Sequence, residues 1–466
     1  MRVERRQPRR RATARPELEL KPQASAGARP RERFGTRFGF VMAAVGSAVG
    51  LGNMWRFPYR TAEGGGAAFV VLYIGMTFLI GIPMMVAEFA VGRRTRLSSI
   101  GAVRTVGGGR WVPLGYLFVL TALLILAYLS VITGWTVRYA LDGMLAGFST
   151  SPGARYAAVS TGSPAIGFHL VTMIATTGIV LLGVKQGIER ASIILMPILF
   201  MILIALAVWA STLEGAGAGY AFYLAPSLES LTDPAVLQAA ASQAFFSLSV
   251  GMGIMLTYGS YLTGHENLSR EAAIVSLSDF SVAFVAGLVV FPVIFALGLS
   301  AEVTDSTMGT LFISLPGAFV EMGSVGRVVG VGFFVALAVA SITSTVSLLE
   351  VVAAVGIDEF RLGRRAATLI AGGLATLVGL MAAVSGDILG VLDRIAGEFF
   401  VVAGVLGMAL LFGWRMKEPA REVSAGASPG FARLVPGAIF LARYVIPPLL
   451  LVLAIMALRD AVRAMW

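Results

Sequence analysis

A membrane-length apolar segment near residues 38–59 is interrupted by the stretch Gly46-Ser47-Ala48-Val49-Gly50-Leu51-Gly52-Asn53-Met54-Trp55-Arg56-Phe57-Pro58. In lipid an unpaired backbone group is so costly that a broken helix survives only when buried in protein or lining a polar cavity. Arg56 at that depth also needs a partner or water. A kinked structural helix with a glycine packing face explains one glycine or one proline. It does not explain Gly46, Gly50, Gly52, Asn53, Arg56 and Pro58 together. The stretch reads as a binding site.

Composition places that segment in a polytopic membrane protein. Of 466 residues, 57% are hydrophobic and 13% are charged, against roughly 25% charged in a soluble domain. Cysteine is absent, which removes disulfides and thiolate chemistry. Two histidines, His169 and His265, without a helical ligand pair argue against a transition-metal site. The net charge of +10 lies mostly on arginines of the N-terminal tail and short loops. Membrane topology requires that pattern, so no nucleic-acid role follows. Residues 1–33, rich in Arg and Pro, read as a disordered basic cytoplasmic tail that touches anionic lipid. No apolar core of about 7–15 residues precedes the first span, so the tail does not read as a cleavable signal.

At about 20 apolar residues per crossing, eleven spans are expected. They lie near 38–59, 66–92, 112–147, 167–184, 189–213, 236–262, 272–300, 326–357, 364–384, 391–415 and 434–462. Basic residues cluster after span two (Arg93, Arg94, Arg96, Arg104, Arg110), after eight (Arg361, Arg364, Arg365) and after ten (Arg415, Lys417, Arg421). The opposite loops carry Glu214, Glu229, Asp233, Glu302 and Asp305. The positive-inside rule then puts the N-terminus in the cytoplasm and, with an odd count, the C-terminus outside the plasma (inner) membrane.

Span six repeats the anomaly of span one, with Ser247-Leu248-Ser249-Val250-Gly251-Met252-Gly253 inside an apolar run. An offset of five spans makes the second helix enter from the opposite side. Paired interrupted spans in two inverted halves point to a transporter's central site. Span eight adds Ala340-Ser341-Ile342-Thr343-Ser344-Thr345. An isolated hydroxyl would simply bond the carbonyl one turn back, but this cluster suits a hard cation such as Na⁺. In span five, Gly187 and Pro197 allow either a plain kink or an unwinding of the cytoplasmic end. Buried carboxylates are expected at Glu88, Asp279, Glu350 and Asp393. Glu88 and Glu350 read as caps for free amides of the broken helices, and Arg56 and Asp393 as a pair across an external vestibule.

At these residues the chain resembles the neurotransmitter:sodium symporter family, especially its eleven-span bacterial members, from Phe34 to about residue 460. The motifs are Gly46-x-Ala48-Val49-Gly50-Leu51-Gly52-Asn53-x-x-Arg56-Phe57-Pro58, Gly187-x9-Pro197, Gln243-x-Phe245-Phe246-Ser247-Leu248-Ser249 and Thr343-Ser344. The resemblance implies an all-α fold of two inverted five-span halves, 34–215 and 216–416, followed by a loop and span eleven over 417–466. It implies one sodium site from Gly46, Val49, Ala340, Thr343 and Ser344, and a second from Ala48, Asn53, Ser247 and Asp279. Ser278 is the alternate ligand one residue back. The charge of Asp279 is implied to replace the chloride that animal relatives require. Arg56 and Asp393 match an outer gate with Phe246 as lid and Gln243 beside it, while Arg31 and Asp358 match an inner gate supported by Phe34 and Tyr261.

The implied substrate site takes Ala48, Gly50, Gly52, Ile125, Tyr128, Leu129, Phe246, Ser247, Ser249, Met252, Ser344 and Leu348. Gly50 matches the position where monoamine carriers hold an Asp, which favours a small amino acid bringing its own carboxylate. Leu129 stands where the family usually has a Tyr that hydrogen-bonds that carboxylate. Either Tyr128 takes over, or affinity is low, or the substrate is not an ordinary α-amino acid. The expected function is sodium-coupled import by alternating access, using two sodium ions and no chloride. The competing readings are a binding-only sensor on the same fold, a proton-coupled carrier titrating Asp279 or Glu88, and an enzyme. The last lacks a nucleophile–base or metal constellation, since His169 and His265 fall near span edges.

Overall fold

In lipid the backbone is best satisfied within a helix, and every regular element among the described residues is helical. The computed structural model describes residues 32–463 apart from 227, 265 and 299–306. Nine helices are long and apolar enough to cross a membrane among the described residues: Ala67–Thr95, Gly109–Leu145, Gly162–Leu181, Val184–Ala210, Leu268–Ala296, Gly323–Asp358, Arg364–Val384, Gly386–Arg415 and Pro429–Leu453. A tenth candidate is the helix pair Arg37–Ala48 and Gly52–Glu63, bent by 44° at its break. The expected sixth span is two short helices, Pro234–Ser247 and Ile254–Gly259, separated by residues 248–253. We number these eleven segments as spans one to eleven in chain order. Inner and outer denote the cytoplasmic and external sides expected from the arginines.

Hydropathy does not announce the connecting helices Ser99–Gly107, Pro152–Ser160, Ala216–Leu224 and Thr310–Glu321, which are too short to cross. Spans three and eight pack along each other, and spans four, five and nine lean on them. Spans one and six occupy the middle, where Val49, Leu51, Leu248 and Val250 are at most 1% exposed. Their interruptions are therefore buried in protein, a setting in which broken helices are tolerated at membrane depth.

Local residues set each break. Thr36 caps the inner half of span one by accepting from the Gly39 amide at 2.9 Å, and the helix ends where Val49 turns extended (ψ 100°). In span six the chain crosses residues 248–253 with positive φ at Ser249 (55°), Gly251 (81°) and Gly253 (77°). Glycine adopts that conformation freely, and its absence of a side chain matters twice at Gly251, where a Cβ would collide with the Val401 carbonyl. Ser249 has no such freedom and is held there by its hydroxyl, which donates to the Ser47 carbonyl at 2.9 Å. Span five opens with a wide π-helical turn over Val184–Glu189 after Gly183 (φ 84°), and Pro197 lies inside the continuous helix Arg190–Ala210.

Glu88, 1% exposed in span two, closes the break of span six. Its carboxylate accepts from the amides of Gly251 at 2.6 Å and Leu256 at 3.1 Å. Glu350, expected to do the same, instead joins Arg364 at 2.7 Å and the Tyr261 hydroxyl. An adjacent guanidinium neutralises a buried carboxylate better than neutral amides do. Each buried amide left without a partner costs about 1–3 kcal/mol. Glu88→Ala is therefore expected to lower the thermal unfolding midpoint of the purified protein clearly, and Glu88→Gln less, since an amide oxygen still accepts. An Ala variant as stable as the parent would show that these amides find other partners.

Candidate functional site

The Gly50 amide, whose helical acceptor would be the Gly46 carbonyl, donates instead to Asn53 Oδ1 at 3.0 Å. The Gly46 oxygen thereby loses its ordinary partner beside span eight, where a Cβ on Gly46 would stand 3.3 Å from Thr343 Cβ. Thr343 Oγ1 donates to the Ala340 carbonyl at 2.9 Å. Ser344 Oγ lies 3.3 Å from the same oxygen and 3.4 Å from the Ser47 carbonyl. These hydroxyls thus follow the ordinary back-bonding pattern of a membrane helix. Each keeps lone pairs for a cation beside the carbonyls of the break.

The second cluster surrounds Asp279, which is 0% exposed. Asn53 Nδ2 donates to Asp279 Oδ1 at 2.7 Å and to its carbonyl at 2.9 Å. Ser247 Oγ lies 2.9 Å from each carboxylate oxygen, and the Tyr73 hydroxyl donates to Oδ2 at 3.1 Å. No cationic side chain is among these partners. A buried carboxylate without a counter-charge is expensive, so this set of carboxylate, amide, hydroxyl and carbonyl oxygens suits a hard cation. Asp279, not Ser278, is the residue that reaches the break. Sequence reasoning missed Tyr73, because a tyrosine in an apolar helix looks like ordinary core and belongs to no motif.

Between the clusters lies a pocket lined by Ala48, Gly50, Gly52, Ile125, Leu129, Phe246, Ser247, Ser249, Met252, Ser344 and Leu348, all named from the sequence. Ser47, Leu51 and Ile254 also line it and were not foreseen, whereas Tyr128 does not line it. A Cβ on Gly50 would collide with Ser344 Oγ, and one on Gly52 would lie 3.1 Å from the Phe246 ring, so both glycines keep the pocket open. Gln243 Nε2 donates to the Gly52 carbonyl at 2.8 Å and ties the two broken spans together.

On the outer side the Arg56 guanidinium stacks 4.8 Å above the Phe246 ring. Its ion pair runs to Glu398 at 2.8 Å, and Arg60 reaches the same oxygen at 2.8 Å. The expected partner Asp393 acts on Arg56 through its charge, but the direct ion pair is to Glu398. The segment Asp393–Phe400 is wound as a π-helix, which brings residues five apart onto one face and puts Glu398 in register. Asp393 and the Tyr128 hydroxyl instead face each other across Gly397, where a Cβ would lie 2.7 and 3.1 Å from them.

On the inner side, Arg31 lies outside the described residues, and Asp358 accepts from the Ser98 amide at 2.5 Å. Phe34 meets Tyr258 and Tyr261 edge-on at 5.6 and 6.1 Å. Glu189 accepts from the Gly35 and Thr36 amides at 2.6 and 3.1 Å, and Arg364 joins Glu350 to Glu32. His169 is buried between Ser130 Oγ (3.0 Å) and the Thr376 carbonyl (3.1 Å). His265 lies outside the described residues.

The model of the sodium:neurotransmitter symporter family matches residues 31–150 and 159–454. The sodium-dependent transporter YhdH of Bacillus subtilis is 36% identical over 378 residues, covering 80% of this chain and 82% of the relative. The sodium-dependent nutrient amino acid transporter 1 of Drosophila erecta is 27% identical over 445 residues, covering 80% and 69%. The crystal structure of MhsT in complex with L-phenylalanine superposes with a TM-score of 0.84 at 38% identity, over 92% of this chain and 100% of that one. Two broken helices around an oxygen-lined pocket, and a family match over most of the chain, lead to one assignment: this integral membrane protein belongs to the sodium:neurotransmitter symporter family, whose members are transporters and not enzymes.

Proposed function

We propose that the protein imports a small amino acid with an apolar side chain, coupled to two sodium ions, by alternating access between two inverted halves. The observation that carries this reading is the Asp279 cluster. A buried carboxylate lacking a cationic partner shares Ser247 with the pocket and Asn53 with the break of span one. One ion sits there and the other at Gly46, Val49, Ala340, Thr343 and Ser344. The amino acid relatives and the phenylalanine complex support the substrate class, as do the aliphatic walls at Ile125, Leu129 and Leu348. The fixed charge of Asp279 makes chloride unnecessary.

Sodium at the break stabilises the outward-open form, and substrate between the half-helix ends permits Phe246 and Arg56 to close. Release of the inner contacts at Phe34, Glu189 and Asp358 then opens the cytoplasmic side. The driving force suffices. A potential of 100 mV gives about 2.3 kcal/mol per charge and a tenfold gradient about 1.4, so two ions supply roughly 7 kcal/mol.

The direct test is uptake of labelled amino acids into proteoliposomes, with an inward sodium gradient against a potassium control. Concentrative, sodium-dependent uptake is expected, and uptake indifferent to sodium would sink the reading. Thr343→Ala with Ser344→Ala is expected to shift sodium activation upward by roughly tenfold or more, the loss of two hydroxyl–cation contacts. An unmoved activation curve would remove those hydroxyls from the ion site. Asp279→Ser is expected to make transport depend on chloride. An active variant indifferent to chloride would refute the charge-substitution idea. Because the chain has no native cysteine, a single Ile125→Cys reports access to the pocket. Adding Glu398→Gln is expected to raise its labelling by an impermeant thiol reagent about fivefold, the shift that about 1 kcal/mol supplies. Asp393→Asn should leave it nearer the parent rate; the reverse order would restore Asp393 as the gate.

A further inference from the structure

We infer that the pocket recognises the carboxyl end of its substrate only through the bound cation and uncharged donors, so that α-amino acid amides and esters bind alongside the free acids. The inference rests on the symport reading above and deepens it.

A carboxylate is ordinarily held by a cationic side chain or by several side-chain donors. Among the described residues, no Arg, Lys, His, Asn, Gln or Tyr side chain lines this pocket. Its hydroxyls are largely committed elsewhere. Ser249 Oγ donates to the Ser47 carbonyl at 2.9 Å, and Ser247 Oγ lies 2.9 Å from both oxygens of Asp279. Ser344 Oγ faces two carbonyls at 3.3 and 3.4 Å. Among the described residues, Ser47 Oγ is the one hydroxyl of the lining left without a partner, and a neutral donor serves an amide or ester carbonyl as well as a carboxylate. The adjoining wall is Leu129, buried beside Ile125, and it offers no donor. The neighbouring hydroxyl does not supply one. Tyr128 OH stands with Asp393 at Gly397, a position 3.5 Å from the edge of the Phe246 lid, and the residue is absent from the lining.

Electrostatics points the same way. One sodium ion beside Asp279 makes a neutral pair, so a second carboxylate arriving there gains little net attraction and must still be desolvated. A carbonyl oxygen is a hard ligand for the same cation and carries no charge to bury. Leu129 is therefore a specificity-determining residue, acting by the donor it withholds.

The test is competition against sodium-driven uptake of labelled L-phenylalanine by unlabelled L-phenylalanine, L-phenylalaninamide and the methyl ester. Another amino acid and its derivatives take their place if the uptake panel selects one. In the wild type, half-inhibition by amide and ester is expected within about tenfold of the acid, less than a charge-assisted hydrogen bond would impose. Leu129→Tyr is expected to favour the acid over the amide by roughly tenfold more than Leu129→Phe, which adds the ring without the hydroxyl. Discrimination beyond about tenfold in an actively transporting wild type would overturn the inference and leave symport standing. Equal acid-to-amide ratios in the Tyr and Phe variants would overturn it as well. Should neither variant fold, the wild-type ratio decides alone. Absence of any sodium-driven amino acid uptake would overturn symport and this inference together.

Discussion

A backbone interrupted in the middle of a membrane must find its missing hydrogen bonds inside the protein, and here the two interruptions supply each other. Ser249 of span six donates to Ser47 of span one, and Gln243 of span six donates to Gly52 of span one. Within span one, Asn53 takes the Gly50 amide. From outside the pair, Glu88 takes two amides of span six. Remove one member and several buried groups lose partners, which is why the breaks form one cooperative unit. The pocket between them is built on the glycine-lined space that this arrangement exposes.

Asp279 is the electrostatic counterpart of that unit. Its oxygens are bound by Asn53, Ser247 and Tyr73, from spans one, six and two. Ser247 is also pocket wall, and Asn53 also holds the turn at Gly50. A cation entering this cluster would act on the same side chains that shape the pocket. Coupling between ion and substrate at the proposed sites would then need no relay, because those sites share side chains. The outer cover follows a similar economy: Arg56 both stacks on Phe246 and pairs with Glu398.

The helical character, the two broken spans and the family were legible because each is written locally. Lipid forces an interrupted helix to declare itself through Gly, Asn, Pro and polar residues in an otherwise apolar run. Glu88 was legible for the same reason, since a lone carboxylate beside freed amides has an obvious use. The connecting helices Ser99–Gly107 and Pro152–Ser160 were not, as they carry no membrane-length signal.

By itself the sequence determined that the chain crosses the membrane many times, where two crossings break, and which oxygen-bearing residues stand at the breaks. Tertiary structure alone decided which distant side chains meet. Glu398 rather than Asp393 pairs with Arg56, because a π-helical stretch shifts the face by a register that α-helical periodicity does not contain. Glu350 turned to Arg364, and Tyr73 joined Asp279, through contacts 14 and 206 residues apart along the chain. Tyr128 left the pocket to Leu129 for a similar reason: one residue along a helix turns a side chain by about 100°, and only packing against spans six and ten fixes which of the two faces inward.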